Sequence, residues 1–157
     1  MRWDLVDSFE VLKKGSVSKA WKSFDGTEDF FQGHFPSKPV VPGTLLIEMI
    51  AQAGGVLYGL GLDFKKEVIL AKIALAFFPK EVFPPCRLWI EANLEKEREE
   101  GAWVSGTVKL NGELVANAEI LLVTMDALEE GRQESVVFND GFLKHYDIYN
   151  VAKASQS

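Results

Sequence analysis

Apolar residues recur at two different spacings along this chain, and the change from one to the other marks its elements. In "DSFEVLKKGSVSKAWKSF" the polar and apolar positions alternate with a period near two, interrupted at Lys14-Gly15. That pattern predicts two short strands joined by a turn. "DGTEDFFQGHFPSKPVVPG" has no period and is rich in Gly and Pro, so it reads as loop with one short helical turn. From Thr44 to about Leu60 the chain is apolar on all sides, and Gly59 and Gly61 supply the stop signals of a helix. "EVILAKIALAFF", Glu67 to Phe78, is β-branched with aromatic residues at its end and predicts a strand, broken by Pro84-Pro85. In the next segment Leu88, Ile90, Ala92 and Leu94 fall on one face and Trp89, Glu91, Asn93 and Glu95 on the other, a half-buried strand. The charged "EKEREEG" reads as a solvated hairpin end. Asn111-Gly112 inside "WVSGTVKLNGELVANAEILLV" is the pair preferred by a two-residue hairpin turn. The expected order is therefore strands, one long central helix, then at least three antiparallel strands. "DGFLKHYDIYNVAK" predicts either a short amphipathic helix, with Phe142, Tyr146 and Tyr149 on one side, or a partly ordered tail. The division expected is one domain over residues 1–126 and a C-terminal extension over 127–157.

The helix raises a membrane question, because Thr44 to Leu62 would span roughly 28 Å. Glu48, Gln52, several glycines and the proline-rich approach argue instead for the centre of a soluble core. Nothing in "MRWDLVDSFE" resembles the apolar region of a signal peptide. The 157 residues carry 17 basic and 23 acidic side chains, a net charge of -6, which argues against nucleic acid as the main partner. Cys86 is the single cysteine, so neither an internal disulfide nor a thiolate metal cluster is expected, and a reducing cytoplasm is the simplest compartment.

The candidate chemistry lies in "GHFPSKPVVPGTLLIEMIAQAGG", residues 33–55. Glu48 stands among Leu45, Leu46, Ile47, Met49, Ile50 and Ala51, where an ionised carboxylate would lose hydration that it could not recover. Such a carboxyl tends to hold its proton and can deliver it to a leaving group. His34 lies in a loop stiffened by Pro36, Pro39 and Pro42, and a histidine can accept a proton near neutral pH. Gly43 opens the helix, where the first-turn N–H groups and the dipole would stabilise an oxygen gaining negative charge. Taken singly, each has an ordinary explanation: a carboxyl hydrogen-bonded to a backbone or partner helix, a loop histidine held by a carbonyl, a plain helix start. His145 gets only the ordinary explanation, as a tail residue. Together, Glu48, His34 and Gly43 supply an acid, a base and an oxyanion donor, the set that β-elimination next to a carbonyl requires. That chemistry needs no metal and no cofactor, and the sequence offers no ligand cluster for one.

The same residues carry a family resemblance. "FFQGHFPSKPVVPGTLLIEMIAQAGG" resembles the signature of the FabZ-type 3-hydroxyacyl-[acyl-carrier-protein] dehydratases. The pattern H-F-P-x-x-P-V-x-P-G-x-L-x-x-E-x-x-A-Q-A-G runs from His34 to Gly54, with the histidine and the carboxylate fourteen residues apart. The resemblance implies an α+β hot-dog fold, an antiparallel sheet wrapped around one long helix. It implies a homodimer with a site shared between protomers, sometimes built into hexamers, and an acyl-carrier-protein or CoA-linked substrate. Carried onto this chain, His34 would be the base and the Val40 carbonyl would orient its ring. The Gly43 N–H would receive the thioester carbonyl, and Glu48 of the other protomer would be the acid. Glutamate rather than aspartate at that position implies plain dehydration, without the isomerisation of the FabA-type branch. The acyl chain is expected between protomers beside the central helices, with Phe77 and Phe78 near it and Leu57 and Tyr58 as further lining. The chain departs from the family where a basic run usually precedes a V-P-G-D turn: Phe77 and Pro79 replace basic residues, Glu81 replaces proline and Pro85-Cys86 replaces Gly-Asp. Lys80 and Arg87 are the cations left to dock an acidic carrier protein. Both primary fatty-acid synthesis and a specialised acyl pathway stay open. Two rivals share the expected fold: an acyl-CoA thioesterase, which has no use for the H-F-P histidine, and a non-catalytic acyl-binding or scaffold dimer, which needs neither His34 nor Glu48.

Overall fold

The computed structural model describes residues 4–126 and 137–156. Two strands, β1 (Ser8–Lys13) and β2 (Val17–Phe24), precede a 3-10 turn at Asp29–Gln32 and the helix α1 (Gly43–Gly61). Four strands follow: β3 (Lys66–Phe77), β4 (Cys86–Glu97), β5 (Gly101–Leu110) and β6 (Glu113–Asp126). They form one antiparallel sheet in the order β1-β2-β4-β5-β6-β3. The sheet curls around α1, which touches five of its strands. This is the α+β hot-dog arrangement expected from the sequence, and the helix bounds agree to within one residue at each end.

The hairpin turns form where turn chemistry places them. Asn111 and Gly112 have φ values of 51° and 82°, which suits a tight two-residue turn between β5 and β6. Leu88, Ile90 and Ala92 of β4 point into the core, and Trp89 points out, at 46% exposure. The core itself lies between α1 and the concave face of the sheet. Met49 and Ile50 are fully buried there, each burial stabilising the fold by about 1.5–3 kcal/mol. Ile50 presses onto β5 at Gly106, where any Cβ would collide with it. Glycine at 106 thus sets how closely helix and sheet approach.

By length and composition α1 is the one helix among the described residues that could cross a membrane, yet two thirds of it is buried inside the protein. Between Leu45 and Leu60 every residue is buried except Glu48 and Gln52, one helical turn apart.

The C-terminal segment folds as two helices, α2 (Asp140–His145) and α3 (Ile148–Ser155). The break between them falls at Asp147, whose φ of 53° is left-handed and cannot continue a helix. Asn139 caps α2 by accepting from the Phe142 N–H at 2.9 Å. The α3 helix covers the outer edge of β1: the Leu12 N–H donates to Ser155 Oγ at 3.0 Å, and Gln156 Nε2 donates to the Leu12 carbonyl at 3.2 Å. The opposite edge, β3, pairs only with β6 among the described residues. It presents Ile69, Leu70, Ile73, Leu75 and Phe77 to solvent. One edge is therefore closed by the chain itself, and among the described residues the other is left open. Residues 127–136, where the expected boundary between domain and extension falls, lie outside the described residues.

Candidate active site

His34 is positioned by a short, closed loop. The Val40 N–H donates to the His34 carbonyl at 2.9 Å, and the His34 Nδ1–H donates back to the Val40 carbonyl at 3.0 Å. A carbonyl can only accept, so this contact puts the proton on Nδ1 and leaves the lone pair on Nε2. Phe35 stacks on the imidazole, with ring centroids 4.4 Å apart, and the His34–Phe35 peptide is cis. The ring is half-buried and so remains reachable.

Val41 follows directly, buried and tied by its N–H to the Val82 carbonyl at 2.8 Å. That strand-like contact leads the chain into Pro42 and then into α1. Gly43 is the first helical residue, so its N–H has no acceptor within the helix. The Phe78 ring lies over it: a Cβ on Gly43 would stand 3.2 Å from the ring. Residue 43 must be small for that packing, which places Phe78, just past the end of β3, beside the helix N-terminus.

Glu48 is half-buried rather than fully dry in the single chain. Gln52 Nε2 donates to Glu48 Oε1 at 3.1 Å, and the Leu5 N–H donates to Gln52 Oε1 at 3.1 Å. The Leu5 amide thus fixes which way the Gln52 side chain faces, and Gln52 in turn holds the carboxyl. Sequence reasoning missed this positioning role. The signal was present in the spacing, since Gln52 is the only other polar residue between Leu45 and Leu60 and lies four positions from Glu48.

Glu48 and Gln52 line an apolar cavity of about 400 Å³, within the range of small-molecule sites. His34 is not among its lining residues. Within one protomer the candidate base and the candidate acid therefore face different spaces. Leu57 and Tyr58 do not join either group. Both are fully buried, and the Tyr58 hydroxyl donates to the Arg98 carbonyl at 2.5 Å and lies 3.2 Å from that of Glu99, pinning the β4–β5 hairpin. Burial, with the carboxylates of Glu97, Glu100 and Glu99, pushes the phenol up to about 12. Phe77 is exposed at the end of β3.

Both candidate docking cations have partners. Lys80 Nζ pairs with Glu113, and the Arg87 guanidinium lies 4.0 Å from the centre of the Trp21 ring while its Nε donates to Ser23 Oγ at 3.1 Å. These are exposed contacts, of the kind that costs little to exchange.

A family model described as the FabA-like domain matches residues 4–119. The chain belongs to the FabA-like family. Within it, this is a FabZ-type chain. It is 43% identical over 121 residues to a 3-hydroxyacyl-[acyl-carrier-protein] dehydratase FabZ of Xanthomonas oryzae pv. oryzae, covering 75% of this chain and 78% of the relative. It is 40% identical over 121 residues to the FabZ of Clostridium tetani, covering 76% of this chain and 84% of that one. Among solved structures, the dehydratase heterocomplex ApeI:P from Xenorhabdus doucetiae superposes with a TM-score of 0.65 at 18% identity, over 82% of this chain and 87% of that one. At that identity the likeness speaks for the hot-dog fold alone. The family match ends at residue 119, so α2 and α3 of this FabZ-type chain lie outside it.

Proposed function

We propose that the protein is a hydro-lyase that converts a 3-hydroxyacyl thioester, carried on an acyl carrier protein, into the trans-2-enoyl thioester during fatty-acid synthesis. The observation that carries this reading is the His34–Val40 contact in a FabZ-type chain. It leaves Nε2 as a base at the approach to a helix N-terminus and to a helix that bears one carboxylate. His34 Nε2 takes the proton from C2. The Gly43 N–H donates to the thioester oxygen as negative charge builds there. The C3–O bond breaks, Glu48 gives its proton to the departing hydroxide, and water leaves as the C2–C3 double bond forms. Return of the proton from the imidazolium to the Glu48 carboxylate resets the site. No cofactor enters this balance.

Several features support a homodimer as the working unit. Glu48 and His34 face different spaces in one chain, β3 is an open edge among the described residues, and that edge carries exposed apolar side chains. Pairing of β3 with its own copy would cover them and bring each Glu48 toward the partner's histidine. The acyl chain would then enter past Phe78. Higher assembly to a hexamer would build on such dimers. Lys80 and Arg87 stay the proposed docking cations, exchanging Glu113 and Ser23 for carrier carboxylates. A reducing cytoplasm is the proposed compartment, on the strength of the single, half-buried Cys86.

The test is direct. Incubation with a 3-hydroxyacyl thioester should generate enoyl absorbance with the thioester intact. Release of free thiol without enoyl product would mean hydrolysis instead, and absence of both with every carrier tried would leave only a binding protein.

A further inference from the structure

The cavity beside Glu48 has a wall that the family match does not contain. Its lining on α1 is one stripe, Glu48, Ala51, Gln52, Gly55 and Val56, at helical spacing. That stripe runs about 12 Å along the helix from the carboxylate. Glu48 and Gln52 form one end, and exposed Asp4 is the third polar member of the lining. Val68, Leu70 and Leu122 of β3 and β6 add to its apolar surface. The remaining side comes from the C-terminal segment: the rings of Phe138, Phe142 and Tyr146, with exposed Val137 beside them.

These rings are not loosely placed. Phe138 stands by Gly59, one turn beyond Val56, where a Cβ would come within 3.0 Å of its ring. It packs edge-on against Phe64 with centroids 5.1 Å apart, and Phe142 follows at 5.5 Å. Phe142 meets Tyr146 at 4.9 Å, and Tyr146 meets Phe9 of β1 at 5.4 Å. The Tyr146 hydroxyl, buried, donates to the Val6 carbonyl at 3.0 Å. A continuous row of rings therefore runs from the C-terminal end of α1 to β1. Three of these rings, Phe138, Phe142 and Tyr146, line the cavity, with Phe138 beside Gly59 at the end away from Glu48.

We propose that this aromatic wall sets the acyl chain length the enzyme accepts, with Phe138 as the stop and Phe142 as the side of the channel. The inference rests on the dehydratase reading for the identity of the occupant, a 3-hydroxyacyl thioester whose C3 hydroxyl lies at Glu48. From there the chain has a largely apolar path along the α1 stripe, open to solvent beside Ile69, Leu70 and Val137 and met by Phe138 at its far end. Each carbon that would reach Phe138 meets a packed ring rather than solvent. Apolar pockets discriminate by about 10- to 200-fold per methylene, so one ring can shape the whole profile.

The experiment measures kcat/KM across a ladder of CoA-linked 3-hydroxyacyl thioesters, short to long, for the full chain and for Phe138→Ala, Phe142→Ala and Phe138→Trp. Alanine at 138 should move the maximum to longer chains and raise the long-to-short ratio about tenfold; tryptophan should move it the other way. Phe138→Leu, which keeps an apolar contact with Phe64, serves if the alanine variant does not fold. Profiles that superimpose on the parent in folded variants would overturn the proposal. Binding of non-reactive acyl-pantetheine amides of the same lengths, read by thermal shift, separates the two claims. If the parent dehydrates nothing yet binds these amides with a length cut-off that Phe138→Ala relaxes, the wall stands and the elimination reading falls. If binding shows no length dependence, the cavity holds something else, such as a segment of a second copy, and the wall proposal fails.

Discussion

His34 and Val40 hold each other at two points, backbone N–H to carbonyl at 2.9 Å and ring Nδ1–H to carbonyl at 3.0 Å. The second contact determines the imidazole's tautomer, and so which nitrogen can act as base. In ¹⁵N spectra of the protein labelled at histidine, neutral His34 should show a protonated Nδ1 and a bare Nε2. The opposite tautomer would remove the base assigned here.

His34→Ala and Glu48→Gln should each lower turnover by about 10²- to 10⁴-fold, the usual contribution of a general base or acid, with the fold retained. The shared site adds a sharper expectation. Unfolding and refolding the two dead variants together should restore about a quarter of parental activity, because half of the dimers are mixed and each mixed dimer regains one intact site of two. Mixtures that stay as inactive as their components would show that base and acid belong to one chain.

Gly43→Ala places a methyl 3.2 Å from the Phe78 ring. That is tighter than an ordinary contact, so the half-exposed ring must shift by a few tenths of an ångström at the helix N-terminus. kcat/KM should fall at least several-fold, and Gly43→Ala with Phe78→Leu should recover part of the loss. If the double variant shows no recovery, the Phe78 contact is not what makes residue 43 small.

Replacing Ile73 and Leu75 by lysine puts charge on the exposed apolar row of β3. Sedimentation should then report monomers, and activity should be lost with the dimer. A fully dimeric, active variant would move the interface elsewhere.

Tyr58→Phe removes the hydroxyl that holds the Arg98 and Glu99 carbonyls. The loss should be about 1 kcal/mol, or a Tm lower by about 2–4 °C near neutral pH. The folded phenol lies at about 12 against an ordinary 10.0, so the folded state holds this proton more tightly than the unfolded one. Its contribution is therefore complete below pH 10 and is lost as pH rises through about 12. The Tm gap between parent and variant should narrow over that interval, and a constant gap would mean that the phenol does not titrate there.

Much of this protein was legible from spacing. The period-two segments gave the strands of the β1–β2 and β4–β5–β6 hairpins, and the all-apolar run gave α1 to within a residue at each end. The apolar run 67–78 read correctly as a strand, but its place did not follow. Three later strands pair among themselves and with β2, which leaves β3 at the edge with its apolar residues exposed. Leu57 and Tyr58 drew attention as lining because a helix apolar all round hides which face meets a ligand. The stripe along the cavity is the one through Glu48, Ala51, Gln52, Gly55 and Val56, and only packing against the sheet selects it.

The sequence by itself determined the identity of the reactive groups and the elements that carry them. His34, Val40, Gly43 and Glu48 lie within fifteen consecutive residues, so loop closure, helix start and helix pitch are enough to order them. Only the tertiary structure decided that Gln52 steadies the carboxyl through Leu5, that α3 seals one sheet edge while β3 forms the other, and that Phe138 lines the cavity begun at Glu48. Those relationships join residues 47 to 144 positions apart. Local periodicity has no reach over such distances, and they form only because complementary surfaces are buried together.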